Sequence, residues 1–207
     1  MKILSVTSLQ VPEVKVIRSA RFRDDRGYFT EVYRDDEILG NPEFKLPPST
    51  RFMQANESVS KGGVIRGLHF QVNPNLNKLV RLIEGHMIDV AVDVRPNSPT
   101  FGVASAYELT ADTSAAFEDM VWVPFGFAHG LFILEPSRVQ YVQTGYWNGT
   151  GEVSITPQDS ALDWSHLPQD MQSSIHALLQ TASMSDKDKA GISLTTWKQY
   201  ELASHLV

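Results

Sequence analysis

The chain contains no cysteine. Disulfides, thiolate nucleophiles and cysteine-ligated metals are therefore excluded. No uninterrupted run of about 18 apolar residues occurs, so the sequence offers no helix able to span a bilayer. An excess of positive charge is missing too. Eighteen Lys and Arg stand against 24 Asp and Glu, a formal net charge of −6, which argues against nucleic acid as a principal partner. The opening MKILSVTSLQVPEVKV has only a short apolar stretch cut by polar residues, without the core of a secretion signal. Glycine-rich phosphate loops of the Walker or dinucleotide type are absent. No repeat, low-complexity segment or internal linker divides the chain. These absences leave a cytoplasmic protein of 207 residues, 42% of them hydrophobic, enough for one sizeable core. A single domain over 1–207 is expected.

What is present is mostly strand. From about residue 12 to residue 156, short stretches rich in β-branched and aromatic residues alternate with turn chemistry. In His86–Arg95 the even positions Ile88, Val90, Val92 and Val94 are apolar, while the odd positions carry Asp89, Ala91, Asp93 and Arg95. This is a period-two strand with one apolar and one polar face. Further strands are expected over 51–56, 64–71, 78–83, 103–110, 120–123, 130–134, 139–144 and 152–156. The breaks between them include Lys61-Gly62-Gly63, Asn73-Pro74-Asn75, Glu135-Pro136-Ser137 and Asn148-Gly149. Ten or so strands of this kind indicate a mostly β sandwich or barrel. Helical spacing arrives late, in Met171, Ile175, Leu178 and Leu179, and again after Ser193 with Leu194 and Trp197. The segment from about 165 to 207 reads as a helical appendage packed outside the β core.

Some residue groups could carry chemistry. In Arg66-Gly67-Leu68-His69, a regular strand would point Arg66 and His69 to opposite faces. A bulge at Gly67 would bring them together. The segment Pro124-Phe125-Gly126-Phe127-Ala128-His129-Gly130 describes a tight corner holding a second histidine. Each His is also readable as a hydrogen-bonded structural residue, but two such corners in one small β protein favour a shared site. His69 is followed by Phe70 and Gln71, so the His-x-His pair of metal-binding cupin barrels is missing, and no metal is expected. The turn Asp24-Asp25-Arg26-Gly27 with flanking aromatics is either a solvated hairpin or an anion site. In the second case Arg26 and Arg66 would grip phosphate.

Taken in order, several segments resemble one family, the dTDP-4-dehydrorhamnose 3,5-epimerases, cupin-like enzymes acting on nucleotide-linked deoxysugars. The matching pieces are Asp25–Glu31, Gln54–Ser60, Gly63–Gln71, Lys78–Arg81, Asp89–Arg95, Ser98–Gly102 and Gly126–Gly130, within about residues 10 to 190. The resemblance implies a jelly-roll β-sandwich or barrel, no cofactor, and roles residue by residue. His69 would be the general base, oriented by Asp188 of Ser185-Asp186-Lys187-Asp188. Tyr141 would be the general acid, and Lys78 would stabilise an enolate. Arg26, Phe29, Glu31, Gln54, Asn56 and Arg66 would hold the nucleotide sugar, with His129 near the sugar and Tyr146 lining the pocket. A homodimer acting on a dTDP-linked 4-keto-6-deoxyhexose is implied, with inversion at C3 and C5. The alternatives are a single-carbon epimerase or ketoisomerase, and a non-catalytic sugar-nucleotide binding module. Asn75-Leu76-Asn77 before Lys78 and Trp147-Asn148-Gly149 after Tyr146 depart from the family pattern at the pocket rim.

Overall fold

A computed structural model describes residues 1–206 of the chain. Its strands are β1 (Ile3–Ser8), β2 (Lys15–Ala20), β3 (Phe22–Asp24), β4 (Gly27–Phe29), β5 (Gln54–Ser60), β6 (Val64–Gln71), β7 (Lys78–Asp93), β8 (Ala104–Thr110), β9 (Phe117–Val123), β10 (Phe127–Gln143) and β11 (Glu152–Ser154). Nine of them form one antiparallel sheet, along the path β1-β2-β9-β7-β10-β6-β11, with β8 added on β7 and β5 on β10. β3 and β4 form a separate hairpin. The sheet begins earlier than the sequence suggested, because the apolar stretch at the N-terminus is strand β1, paired with β2.

Two pairs of expected strands are each continuous. β7 runs 16 residues and β10 runs 17, through Gly85 and through Glu135-Pro136-Ser137, where breaks were expected. The register between them shifts repeatedly from Ile133 to Val139, so both strands bend at one place. Pro136 is tolerated in this irregular stretch because no ladder N–H is required of it. Gly85 makes the matching bend. Its φ is +96°, and a Cβ there would lie 2.2 Å from the Pro136 carbonyl oxygen. The Ser137 hydroxyl sits in the corner and accepts the His86 N–H at 3.0 Å.

The curved sheet buries both of its faces. Ile88, Val90, Val92 and Val94 are each fully buried, in a cluster that also contains Phe70, Ile175, Leu178 and Trp197. The C-terminal helices α2 (Gln169–Thr181), α3 (Asp186–Lys189) and α4 (Leu194–Trp197) therefore lie against the outside of the sheet, as the late helical spacing implied. Trp197 fixes the last of them by stacking edge-on against Phe70 and donating its Nε1–H to the Val94 carbonyl at 2.7 Å. A second outer cluster, around Trp122, is covered by the segment containing the short helix α1 (Asp35–Ile38) and Phe44. The polar face of β7 does not meet solvent. Asp89 is 1% exposed and Asp93 fully buried, because this face looks into the concave interior shared with Val80, Leu131 and Val139.

Gly85→Ala should destabilise the fold by about 2–6 kcal/mol, the sum of a strained positive φ and a close backbone contact. Denaturant unfolding would check this. A midpoint within error of the parent would remove Gly85 as the source of the bend.

Candidate active site

The concave face is built in rows across three strands. Lys78 on β7 pairs with Gln143 on β10, which pairs with Gln54 on β5. The next row is Val80, Tyr141 and Asn56, and the one after it Leu82, Val139 and Ser58. Directly opposed residues in antiparallel pairs share a face. Tyr141, Lys78 and Ser58 accordingly line one cavity of about 470 Å³.

The fourth strand brings the histidines. His69 on β6 pairs with His129 on β10, while Arg66 pairs with Leu131. Three residues on β6 thus span two on β10. This is the bulge expected at Gly67, and it puts Arg66 and His69 on the same cavity wall. Gly67 has φ +129°, and a Cβ there would stand 2.7 Å from both Gly130 Cα and the His129 carbonyl oxygen.

The chain after α2 returns to this wall. Ser183 forms a parallel bridge with Val64, and Ser185 then caps α3 by accepting the Asp188 N–H at 3.2 Å. This places the buried Asp188 carboxylate 2.5 Å from His69 Nε2. Burial pushes the Asp188 carboxyl up, but hydrogen bonds from His69, Ser185 and the Gly67 amide outweigh it, and the group stays ionised. An ionised carboxylate can only accept, so His69 Nε2 donates to Asp188. His129 is buried, with Nε2 2.9 Å from Asp89 Oδ2. Burial lowers its pKa, aided by Lys78 and His69 and opposed by Asp89.

Two further groups complete the cavity. The Lys78 ammonium lies 3.5 Å from the His69 carbonyl oxygen and 5.9 Å from the centre of the Tyr141 ring. Burial lowers it to about 8, although Glu152 and Asp89 oppose the shift. Tyr141 is raised, by burial and then by Glu152, so its phenol is protonated at neutral pH. The arrangement holds a histidine paired with a carboxylate, a protonated phenol and an ammonium around one space. A larger cleft of about 1040 Å³ beside Trp122 contains none of these groups. Among the described residues, no cluster of three or more His, Asp or Glu is placed to hold a metal ion.

Comparison with known proteins decides the family. Residues 8–196 match the sequence profile described as dTDP-4-dehydrorhamnose 3,5-epimerase. The chain belongs to this family. It is an isomerase acting on carbohydrates. A dTDP-4-dehydrorhamnose 3,5-epimerase of Neisseria gonorrhoeae is 36% identical over 200 residues, 96% of this chain, although the match spans only 54% of that relative. One of Sinorhizobium fredii is 44% identical over 158 residues, covering 75% of this chain and 76% of the relative. The crystal structure of dTDP-6-deoxy-D-glucose-3,5-epimerase from Legionella pneumophila, in complex with dTDP-4-keto-L-rhamnose, superposes with a TM-score of 0.75 at 33% identity, covering 92% of this chain and 93% of that one.

Of the residues singled out from the family resemblance, His69, Lys78, Arg66, His129, Tyr141 and Asp188 meet in the cavity. Gln54 and Asn56 continue the Ser58 face of β5 beyond its wall, joined to each other by a 2.8 Å hydrogen bond. Gln54 Oε1 also accepts the Trp147 N–H at 2.9 Å, which ties β5 to the loop carrying the exposed Tyr146. Arg26, Phe29 and Glu31 do not line the cavity of their own chain. Arg26 is paired with Asp24 at 2.6 Å, Phe29 is 66% exposed, and Glu31 pairs with the Met1 amino group. Sequence reasoning missed the second wall of charge. Glu152 on β11 is ion-paired with Lys187 of α3, and Asp89 supports His129. Lys187 stands next to Asp188, so its presence at the cavity was readable once that segment was matched. Glu152 had no local signal.

The lowered pKa of Lys78 has two consequences. kcat/KM should hold up to about pH 8 and fall above it as the ammonium is lost. The folded state also binds this proton less tightly than the unfolded chain, so the charge destabilises the fold at neutral pH. Lys78→Met should therefore raise Tm at pH 7 while lowering activity, and the gain should shrink between about pH 8 and 10. Thermal melts across that range check the sign.

Proposed function

We propose that this chain inverts C3 and C5 of dTDP-4-keto-6-deoxyglucose, giving the 4-keto-rhamnose nucleotide, by acid–base chemistry through an enolate. The observation that carries the reading is the convergence of the Asp188-supported His69, the protonated Tyr141 and the Lys78 ammonium on one cavity. The C4 ketone acidifies the hydrogens on both neighbouring carbons. His69 takes one of them. The C–H electron pair becomes the C=C bond of an enolate, and the carbonyl electrons move to oxygen. Lys78 stabilises that oxyanion. Tyr141 returns a proton to the opposite face, the carbonyl re-forms, and the carbon is inverted. Asp188 holds the ring of His69 and stabilises the imidazolium that forms. No net oxidation occurs, so a redox cofactor has no part in the scheme.

The nucleotide half is read from Arg66, Gln54, Asn56 and Tyr146 at the rim. Arg26, Phe29 and Glu31 lie off their own chain's cavity, on and after a hairpin that also exposes Phe22 and Tyr28. A homodimer in which this hairpin reaches the other subunit's rim accounts for both facts. Activity on a nucleotide sugar, in a chain without cysteine, fits the cytoplasm. No described helix is long and apolar enough to cross a membrane.

Incubation with the 4-keto-6-deoxy nucleotide in deuterated water, followed by NMR, tests the reading. Deuterium at both C3 and C5 is expected, and label at one carbon would restrict the activity to a single inversion. His69→Ala should lose both exchange and inversion, by about 10²–10⁴-fold. Tyr141→Phe keeps the base, so it should still exchange solvent deuterium at the original face while inversion falls sharply. Inversion at the parent rate would assign the acid to another group.

A further inference from the structure

One polar atom in the cavity wall is without a partner. The Ser58 hydroxyl is buried and has no hydrogen bond among the described residues. The neighbouring groups are engaged: Arg66 Nε donates to Ser60 Oγ at 2.8 Å, His69 meets Asp188, and His129 meets Asp89. Of the buried side-chain atoms left unsatisfied in the described residues, only that of Ser58 belongs to the lining of this cavity. An orphaned buried hydroxyl costs stability, and a serine could avoid the cost by being alanine. Ser58 itself lines the open cavity.

The strand rows say what it would meet there. Ser58 stands one row from Tyr141 along the β5–β10 pair, on the side away from Lys78. On its other side is Ser60, which holds the Arg66 guanidinium. Adjacent same-face positions on a strand are about 7 Å apart. The Ser58 hydroxyl thus lies between the group proposed to protonate the sugar and the group proposed to grip the phosphate. In a nucleotide-linked 4-keto-6-deoxyhexose, the atoms between the reacting carbons and the phosphate are those of C1, C2 and the ring oxygen. The C2 hydroxyl is the strong hydrogen-bonding group among them. We propose that Ser58 is a specificity-determining residue whose hydroxyl hydrogen-bonds the C2 hydroxyl of the sugar. This rests on the function proposed above and adds the feature of the substrate that the cavity reads.

The contact is made by sugar and not by nucleotide, so binding separates it. Affinity for dTDP, dTDP-glucose and dTDP-2-deoxyglucose would be measured by calorimetry for the parent and for Ser58→Ala. Ser58→Ala should weaken dTDP-glucose about three- to thirtyfold and leave dTDP and the 2-deoxy compound unchanged. It should also leave Tm unchanged or raised, since the hydroxyl it removes is unsatisfied in the free protein. A merely structural serine would lower Tm and weaken all three ligands alike. Equal losses on dTDP-glucose and its 2-deoxy analogue, or a loss on dTDP itself, would overturn the assignment. A parent protein that binds none of the three would reject the nucleotide-sugar reading itself. A parent that binds them, with Ser58→Ala indistinguishable from it, would reject Ser58 alone.

Discussion

The site depends on the close approach of two backbones where β6 runs beside β10. Gly67 and Gly130 face each other there, and neither strand has room for a side chain on the near side. The approach sets His69 opposite His129 and creates the bulge that turns Arg66 to the same wall. It also brings the Gly67 amide to the side of Asp188, where it helps hold that carboxyl below its usual range. The placement of the proposed base and of the proposed phosphate grip thus follows from one local feature of the sheet.

The concave face gathers groups that do not favour folding. Among the described residues, Lys78 is a half-buried cation without an ion-pair partner, Asp89 and His129 are removed from water, and Ser58 has an unsatisfied hydroxyl. A protein selected for stability alone would fill such a face with aliphatic side chains. The fold compensates on its convex side, where the β7 valines, Phe70 and Trp197 pack under the C-terminal helices. The same helical segment supplies Asp188 and Lys187 to the cavity. The appendage is therefore both the cover of the main core and a wall of the site.

One face of β7 was legible from alternation alone, as were the full extent of β6, the spacing of α2 and the Ser193-capped helix α4. These depend on local patterns of hydrophobicity and capping that tertiary structure had only to accept. The bulge at Gly67 was legible as the condition under which Arg66 and His69 share a wall, and the register shows it. The family resemblance named His69, Lys78, Tyr141 and Asp188, and those residues share one cavity.

Other features were decided only by the folded chain. The polar face of β7 was legible as a face but its burial was not, because alternation tells which residues share a face and not what that face meets. The Glu135-Pro136-Ser137 break is a bend within one strand, because Gly85 on the neighbouring strand bends with it across some 50 residues of sequence separation. Glu152 reaches Lys187, and Ser58 loses its partner, through contacts that no spacing encodes. Arg26, Phe29 and Glu31 were named from their segment, yet the hairpin projects them away from their own cavity. The sequence determined which side chains exist and which can share a strand face, since strand periodicity is local. The tertiary structure determined which faces close on one another, since that is set by sheet curvature and by contacts between distant segments.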